Sequence, residues 1–180
     1  NIPVPEDVSQ TGYELLTEEG EVFDLVRLNE ISGVYPKKTR KVRGNLQKLA
    51  GSKKVSSMDM QALDDLFEIS SDVRLSRPMQ SALLRNRNMD AFSNLYNASQ
   101  FKLTNVDLRK LYRELDESGD MDEIIHASLK TGIAPTQALL RKTYGTLLEQ
   151  RRFDEIKEFY EKTGTTPTFD EEFLDSHLEG

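Results

Sequence analysis

The segment from Met89 to Thr168 states one pattern three times, and that repetition confines the chain to few architectures. Met89-Asp90-Ala91-Phe92 leads to Phe101-Lys102-Leu103-Thr104, and Met121-Asp122-Glu123-Ile124 leads to Ile133-Ala134-Pro135-Thr136. Phe153-Asp154-Glu155-Ile156 then leads to Thr165-Thr166-Pro167-Thr168. The step is 32 residues each time, and the closing threonines at 104, 136 and 168 keep it. A fixed period of this size marks stacked supersecondary units.

The spacing within residues 137–168 predicts two helices. Ala138, Leu140, Tyr144, Leu147 and Leu148 form one apolar stripe, Arg151-Arg152 the turn, and Ile156, Phe159 and Tyr160 a second stripe. Asp154 suits the positive end of the second helix, Gly164 a left-handed stop, and Pro167 prevents continuation. Residues 105–136 repeat the design, with Leu108, Leu111, Tyr112 and Leu115, a break at Gly119, then Ile124, Ile125 and Leu129 before Gly132 and Pro135. Two short helices cannot shelter both apolar faces, so each pair must lean on its neighbours. Tyr112 and Tyr144 are expected in that packing rather than as a stacking platform for bases.

Looser copies precede these. In residues 1–36, Val8, Tyr13, Leu15 and Leu16 are expected inward on a first helix, with Val22, Leu25, Leu28 and Ile31 on a second. Residues 37–76 add Val42, Leu46 and Leu49, then a long second helix over 58–75. Residues 77–104 read as a shortened unit whose first helix opens at Pro78 and has room for about two turns. Residues 169–180 open as a further first helix, and Asn1 falls mid-pattern, so the chain is expected to be a piece of a longer one. The fold class is therefore all-α, one segment of five helical hairpins and the start of a sixth.

The net charge of −7 argues against a bulk polyanion binder, but the charge is unevenly placed. Residues 37–54 carry eight cations (Lys37, Lys38, Arg40, Lys41, Arg43, Lys48, Lys53 and Lys54) and no acid, which leaves −15 for the remainder. Such a run is either a solvated helix face or a phosphate-binding surface. A second feature is a pair of basic steps one repeat apart, Arg109-Lys110 and Arg141-Lys142. A cation ladder at repeat spacing can follow a phosphodiester backbone, and guanidinium planes can stack on bases. The alternative is that each arginine pairs with an acid of the adjacent repeat.

Other chemistry is sparse. The chain has no cysteine, which excludes disulfides and thiolate metal sites. His126 and His177 lack partners at metal-ligand spacing, and neither a glycine-rich phosphate loop nor a nucleophile elbow is present. The acids from Glu114 to Glu123 read as a solvated patch, and Asn97-Ala98-Ser99 matches a glycosylation acceptor without other secretory features. No apolar run approaches the roughly 20 residues of a membrane span. No enzyme and no cofactor are expected.

A helical hairpin of slightly over thirty residues ending Gly-x-x-Pro-Thr resembles the pentatricopeptide repeat. The motif stands at Gly132-Ile133-Ala134-Pro135-Thr136 and Gly164-Thr165-Thr166-Pro167-Thr168, with Gly33-Val34-Tyr35-Pro36 and the Gly119-Asp120-Met121-Asp122 turn beside it. Among members, the divergent acidic character is similar to the leucine-rich proteins of animal mitochondria. The resemblance implies a right-handed α-solenoid, a mitochondrial setting, and single-stranded RNA read one base per repeat. It implies reader pairs Thr11 with Lys37, Val42 with Ser76, Ser81 with Thr104, Arg109 with Thr136, and Arg141 with Thr168. Only Ser81 with Thr104 approaches the family's usual small polar pairing. The expected function is an RNA-binding segment acting in RNA stability, processing or translation, with Lys37, Lys38, Arg40, Lys41, Arg43, Lys110 and Lys142 beside the readers. The alternative is a scaffold holding a protein partner without RNA contact.

Overall fold

A computed structural model describes residues 3–168. Those residues form ten α-helices and a single 3-10 turn, Ile69–Ser71, with no strand among them. The helices are α1 Glu6–Glu19, α2 Val22–Ser32, α3 Arg40–Ala50, α4 Ser57–Phe67, α5 Val73–Arg85, α6 Met89–Ala98, α7 Asn105–Glu117, α8 Met121–Thr131, α9 Gln137–Glu149 and α10 Phe153–Thr163. The all-helical class expected from the period is the class observed. The expected further hairpin over 169–180, and His177 with it, lie outside the described residues. Two compact units divide the described chain, residues 3–103 and residues 104–168.

In residues 3–103 the helices build two layers. First helices pack in series, α1 on α3 and α3 on α5, while second helices do the same, α2 on α4 and α4 on α6. The stripe Val42, Leu46 and Leu49 is buried as its spacing predicts. The rotation of α1 differs from expectation: Tyr13 is buried with Ser9 and Thr17, whereas Val8 and Leu15 are exposed. The Tyr13 ring lies edge-on to Phe67 at 6.5 Å, and its hydroxyl donates to the Val34 carbonyl at 2.5 Å. That ring fixes the helix, and residues four before and four after it follow inward. Their burial leaves no unpaired hydroxyl, because Ser9 donates to the Pro5 carbonyl and Thr17 to that of Tyr13. Ile31 is likewise exposed, and Leu25 is the fully buried residue of α2.

The long helix expected over 58–75 is two elements. α4 opens on a capping box, Ser56 with Asp59, and stops at Glu68, whose φ of 49° is left-handed. The buried Ile69 anchors the 3-10 turn, and Asp72 caps α5 by accepting from the Arg74 amide at 2.9 Å. The first helix of the third hairpin therefore begins at Val73 rather than Pro78 and has 13 residues. The repeat boundary expected at 76/77 lies inside it, and the hairpin is not shortened. Pro78 sits in the interior, where it cannot donate to the Arg74 carbonyl four residues back. Gln47 of α3 supplies the missing donor, its side-chain amide reaching the Arg74 carbonyl at 3.4 Å.

In residues 104–168, α7 pairs with α8 and α9 with α10, and α8 also packs on α9 and α10. Ile125, Ala134, Leu140, Tyr144, Leu147 and Phe159 form the core there, with Met121, Leu129 and Ile156 partly buried against it. Tyr144 stands edge-on to Phe159 at 5.6 Å. Leu139 and Thr143 turn inward on α9 where Ala138 was expected, and Ala138 is exposed.

One closing device recurs in four hairpins. The eighth residue of the first helix donates to the carbonyl 21 positions on, beyond the second helix. Tyr13 reaches Val34, Gln80 reaches Phe101 at 3.1 Å, Tyr112 reaches Ile133 at 3.2 Å, and Tyr144 reaches Thr165 at 2.9 Å. The same loop is set by the hydroxyls of Ser32, Thr131 and Thr163, which accept from the amides of Val34, Ile133 and Thr165. In α3 the eighth residue is Gln47, already committed to Arg74.

Candidate nucleic-acid interface

The fifth residue of the first helix has its own recurring contact. Gln10 in α1 donates to the Tyr35 carbonyl at 2.9 Å, Arg77 in α5 to that of Lys102 at 3.1 Å, and Arg109 in α7 to that of Ala134 at 3.4 Å. In each case the acceptor lies 25 residues on. The two arginines use Nε for this bond, and both side chains are exposed. Arg141 is the fifth residue of α9 and is half-buried. α3 has Gly44 at the corresponding place.

This register revises the alignment of reader positions. Counting from the prolines matches Arg109, fifth in its helix, with Thr11, Val42 and Ser81, but these are the sixth, third and ninth residues of theirs. Val42 and Ser76 are buried, Thr11 donates to the Asp7 carbonyl at 3.0 Å, and Ser81 is half-buried on α5. Thr104 is the N-cap of α7: its hydroxyl donates to the Asp107 carboxylate at 2.7 Å and accepts the Asp107 amide at 3.2 Å. Thr136 is the N-cap residue of α9, and Thr168 is exposed after α10. The counterpart of Arg109 that sequence reading missed is Arg77, which stands 32 residues before it. The same 32-residue step that relates Arg109 to Arg141 leads to it, but Pro78 reads as a helix start and so hides Arg77 in the preceding turn.

The remaining candidate cations are partly neutralised. Lys142 is held by Asp116 of α7, its ammonium 2.9 and 3.0 Å from the two carboxylate oxygens. Lys110 is exposed on α7. In the basic segment, Lys37 pairs with Glu6 at 2.8 Å, Lys41 with Glu18 at 3.0 Å, and Lys38 with Asp72 at 3.5 Å and Glu68 at 3.8 Å. The Glu18 carboxylate, hydrogen-bonded to Lys41, holds that ammonium above its ordinary range. Arg40 is exposed at the start of α3, and Arg43 is half-buried one turn later. Lys48 and Lys54 line a cleft with Glu18 and Glu19. The acids missing from residues 37–54 are thus supplied by α1 and by the turn after α4.

The strongest charge cluster in residues 104–168 is one the charge pattern did not single out. Arg152 donates through Nε and Nη2 to Glu155 at 2.7 and 2.6 Å, and through Nη1 to Asp122 of α8. The bonds from Arg152 hold the Glu155 carboxyl below the usual carboxylate range, and those same acids raise the guanidinium. Burial pushes the Tyr144 phenol up. Asp120 accepts from Ser118, and Asp116 faces Lys142, so the acidic turn is largely spent on local bonds. Among the described residues no group of three His, Asp or Glu could hold a metal ion, and no helix is long and apolar enough to cross a membrane.

Against family models, curated proteins and solved structures, the chain finds no match.

Proposed function

We propose that this chain is an RNA-binding helical-repeat segment, a right-handed α-solenoid of the pentatricopeptide type that acts on mitochondrial RNA stability, processing or translation. One observation carries the reading: the fifth residue of the first helix is arginine at 77, 109 and 141. At Arg77 and Arg109 the guanidinium is tethered through Nε to a loop carbonyl, which restricts its motion while leaving the side chain exposed. A guanidinium restricted in this way loses less entropy when it meets a phosphate or stacks on a base. Readout of base identity by Ser81 or Thr104 is not part of the proposal, since a half-buried hydroxyl at Ser81 and a capping one at Thr104 have little left to offer.

The test is a titration of the 180-residue chain with single-stranded RNA at several salt concentrations. Affinity is expected to fall steeply with salt, and the double substitution Arg109→Ala with Arg141→Ala to flatten that slope. No binding at low salt, or an unchanged slope in the double variant, overturns the reading.

A second reading, a protein-binding scaffold, is favoured by the ion pairs that occupy Lys37, Lys38, Lys41 and Lys142. Cations already matched by carboxylates add little attraction for a polyanion. Retention of a partner after nuclease treatment, with no RNA binding by the isolated chain, distinguishes the scaffold from the first reading.

A further inference from the structure

Between α2 and α4 runs a surface cleft of about 230 Å³ lined by Val26, Asn29, Tyr35, Ala62, Asp65 and Leu66. Helical spacing extends its two walls. Phe23 stands three residues before Val26 on α2, and Met58 stands four before Ala62 on α4, which puts each on the same helix face as a lining residue. These two apolar side chains are 77% and 83% exposed, and Tyr35 at the other end is 68% exposed. Scattered apolar residues on a surface need no explanation, but Tyr35 in the cleft with Phe23 and Met58 on the helix faces that continue its walls forms a patch of the kind that docks a partner.

The charge around the cleft indicates what that partner carries. α2 has Asp24 and Glu30 against Arg27, and α4 has Asp59, Asp64 and Asp65 with no cation. Asp59 and Asp64 are engaged locally, with Ser56 and with the Ser70 amide. Asp65 lines the cleft, accepts the Gln61 amide on Oδ1 at 2.8 Å, and is exposed. A largely apolar cleft with Asp65 at its rim and no cation on α4 matches a segment whose apolar side chains alternate with Lys or Arg.

We propose that the α2–α4 cleft docks an amphipathic segment of a partner protein, apolar on one face and basic beside it. This is independent of RNA binding, because the cleft uses none of the fifth-position arginines.

The test uses the full chain and a fluorescent helical peptide of leucine and lysine, with its glutamate-for-lysine counterpart as control. Anisotropy is expected to show binding of the lysine peptide, weakened about tenfold or more by Asp65→Lys and by Met58→Ser. The glutamate peptide is expected to bind at least about tenfold more weakly. Both substituted positions are exposed or rim residues, so thermal melts should match the parent. RNA titration of Asp65→Lys should be unchanged, which keeps this outcome separate from that of the RNA reading. Equal affinity of the lysine peptide for all variants would reduce the effect to bulk attraction and overturn the proposal. So would displacement of the peptide by single-stranded RNA. Self-association of the chain that the same variants abolish would assign the cleft to a second copy instead.

Discussion

Tyr112 and Tyr144 make one and the same tie a repeat apart, each hydroxyl donating to a carbonyl 21 residues further along the chain. Both rings are buried, so neither is available to stack on a base. The tie joins the first helix of a hairpin to the loop that follows its second helix, and that loop is where Gly132 and Gly164 turn the chain.

Removing the hydroxyl should therefore loosen the hairpin without emptying its core. Tyr144→Phe is expected to cost about 1 kcal/mol, the net worth of a hydrogen bond plus a partly stranded carbonyl. Urea denaturation of the parent and the variant measures it. A neutral result would show that water replaces the phenol at the Thr165 carbonyl.

Leu147 is wholly buried among Ile125, Leu140, Tyr144 and Phe159. Leu147→Ala is expected to cost roughly 2–5 kcal/mol, transfer and cavity terms together. A loss below about 0.5 kcal/mol, the range of ordinary surface substitutions, would mean that the rotation of α9 is misassigned.

Gly132 ends α8 with a φ of 71°, and a Cβ there would stand 3.3 Å from the Lys162 carbonyl of α10. Gly132→Ala combines left-handed strain with that close approach and should cost about 1 kcal/mol or more. Gly164 has a similar φ of 64° but open space around it. Gly164→Ala should therefore cost less, and the difference between the two reports the inter-helix contact alone. Equal losses would show that the strain dominates and the contact relaxes.

The Arg152–Glu155–Asp122 cluster predicts how residues 104–168 respond to acid. Glu155 has its folded pKa lowered by the Arg152 hydrogen bonds, so its contribution is present above the ordinary carboxylate value. That contribution is lost as pH falls through the lowered one. Urea midpoints of the parent should drop on acidification from about pH 5 downward, and Arg152→Gln should show a smaller drop. Identical acid limbs in the two proteins would mean the pair is solvated away.

Much of this architecture was legible because the period is carried by residues with fixed backbone demands. Gly33, Gly132 and Gly164 sit in left-handed conformations at second-helix ends, and Gly20 and Gly119 do so in the intervening turns. What spacing alone misread was rotation and start. Val8 and Leu15 look as apolar as Tyr13, but only Tyr13 has both a ring to bury and a hydroxyl to pair. Pro78 reads as a helix start, and only the three-dimensional neighbour Gln47 explains how it is tolerated inside one. The basic run of residues 37–54 shows the limit most clearly. Its counter-charges Glu6, Glu18, Glu68 and Asp72 lie on either side of it in sequence and meet it only after folding.

The tyrosine tie begins and ends inside a single hairpin. Copying a stretch of gene that encodes 32 residues therefore copies donor and acceptor together, and the daughter module arrives with its own fastener already fitted. Lengthening such a chain by tandem duplication needs no new invention at the join, only a neighbour willing to receive one more oily flank.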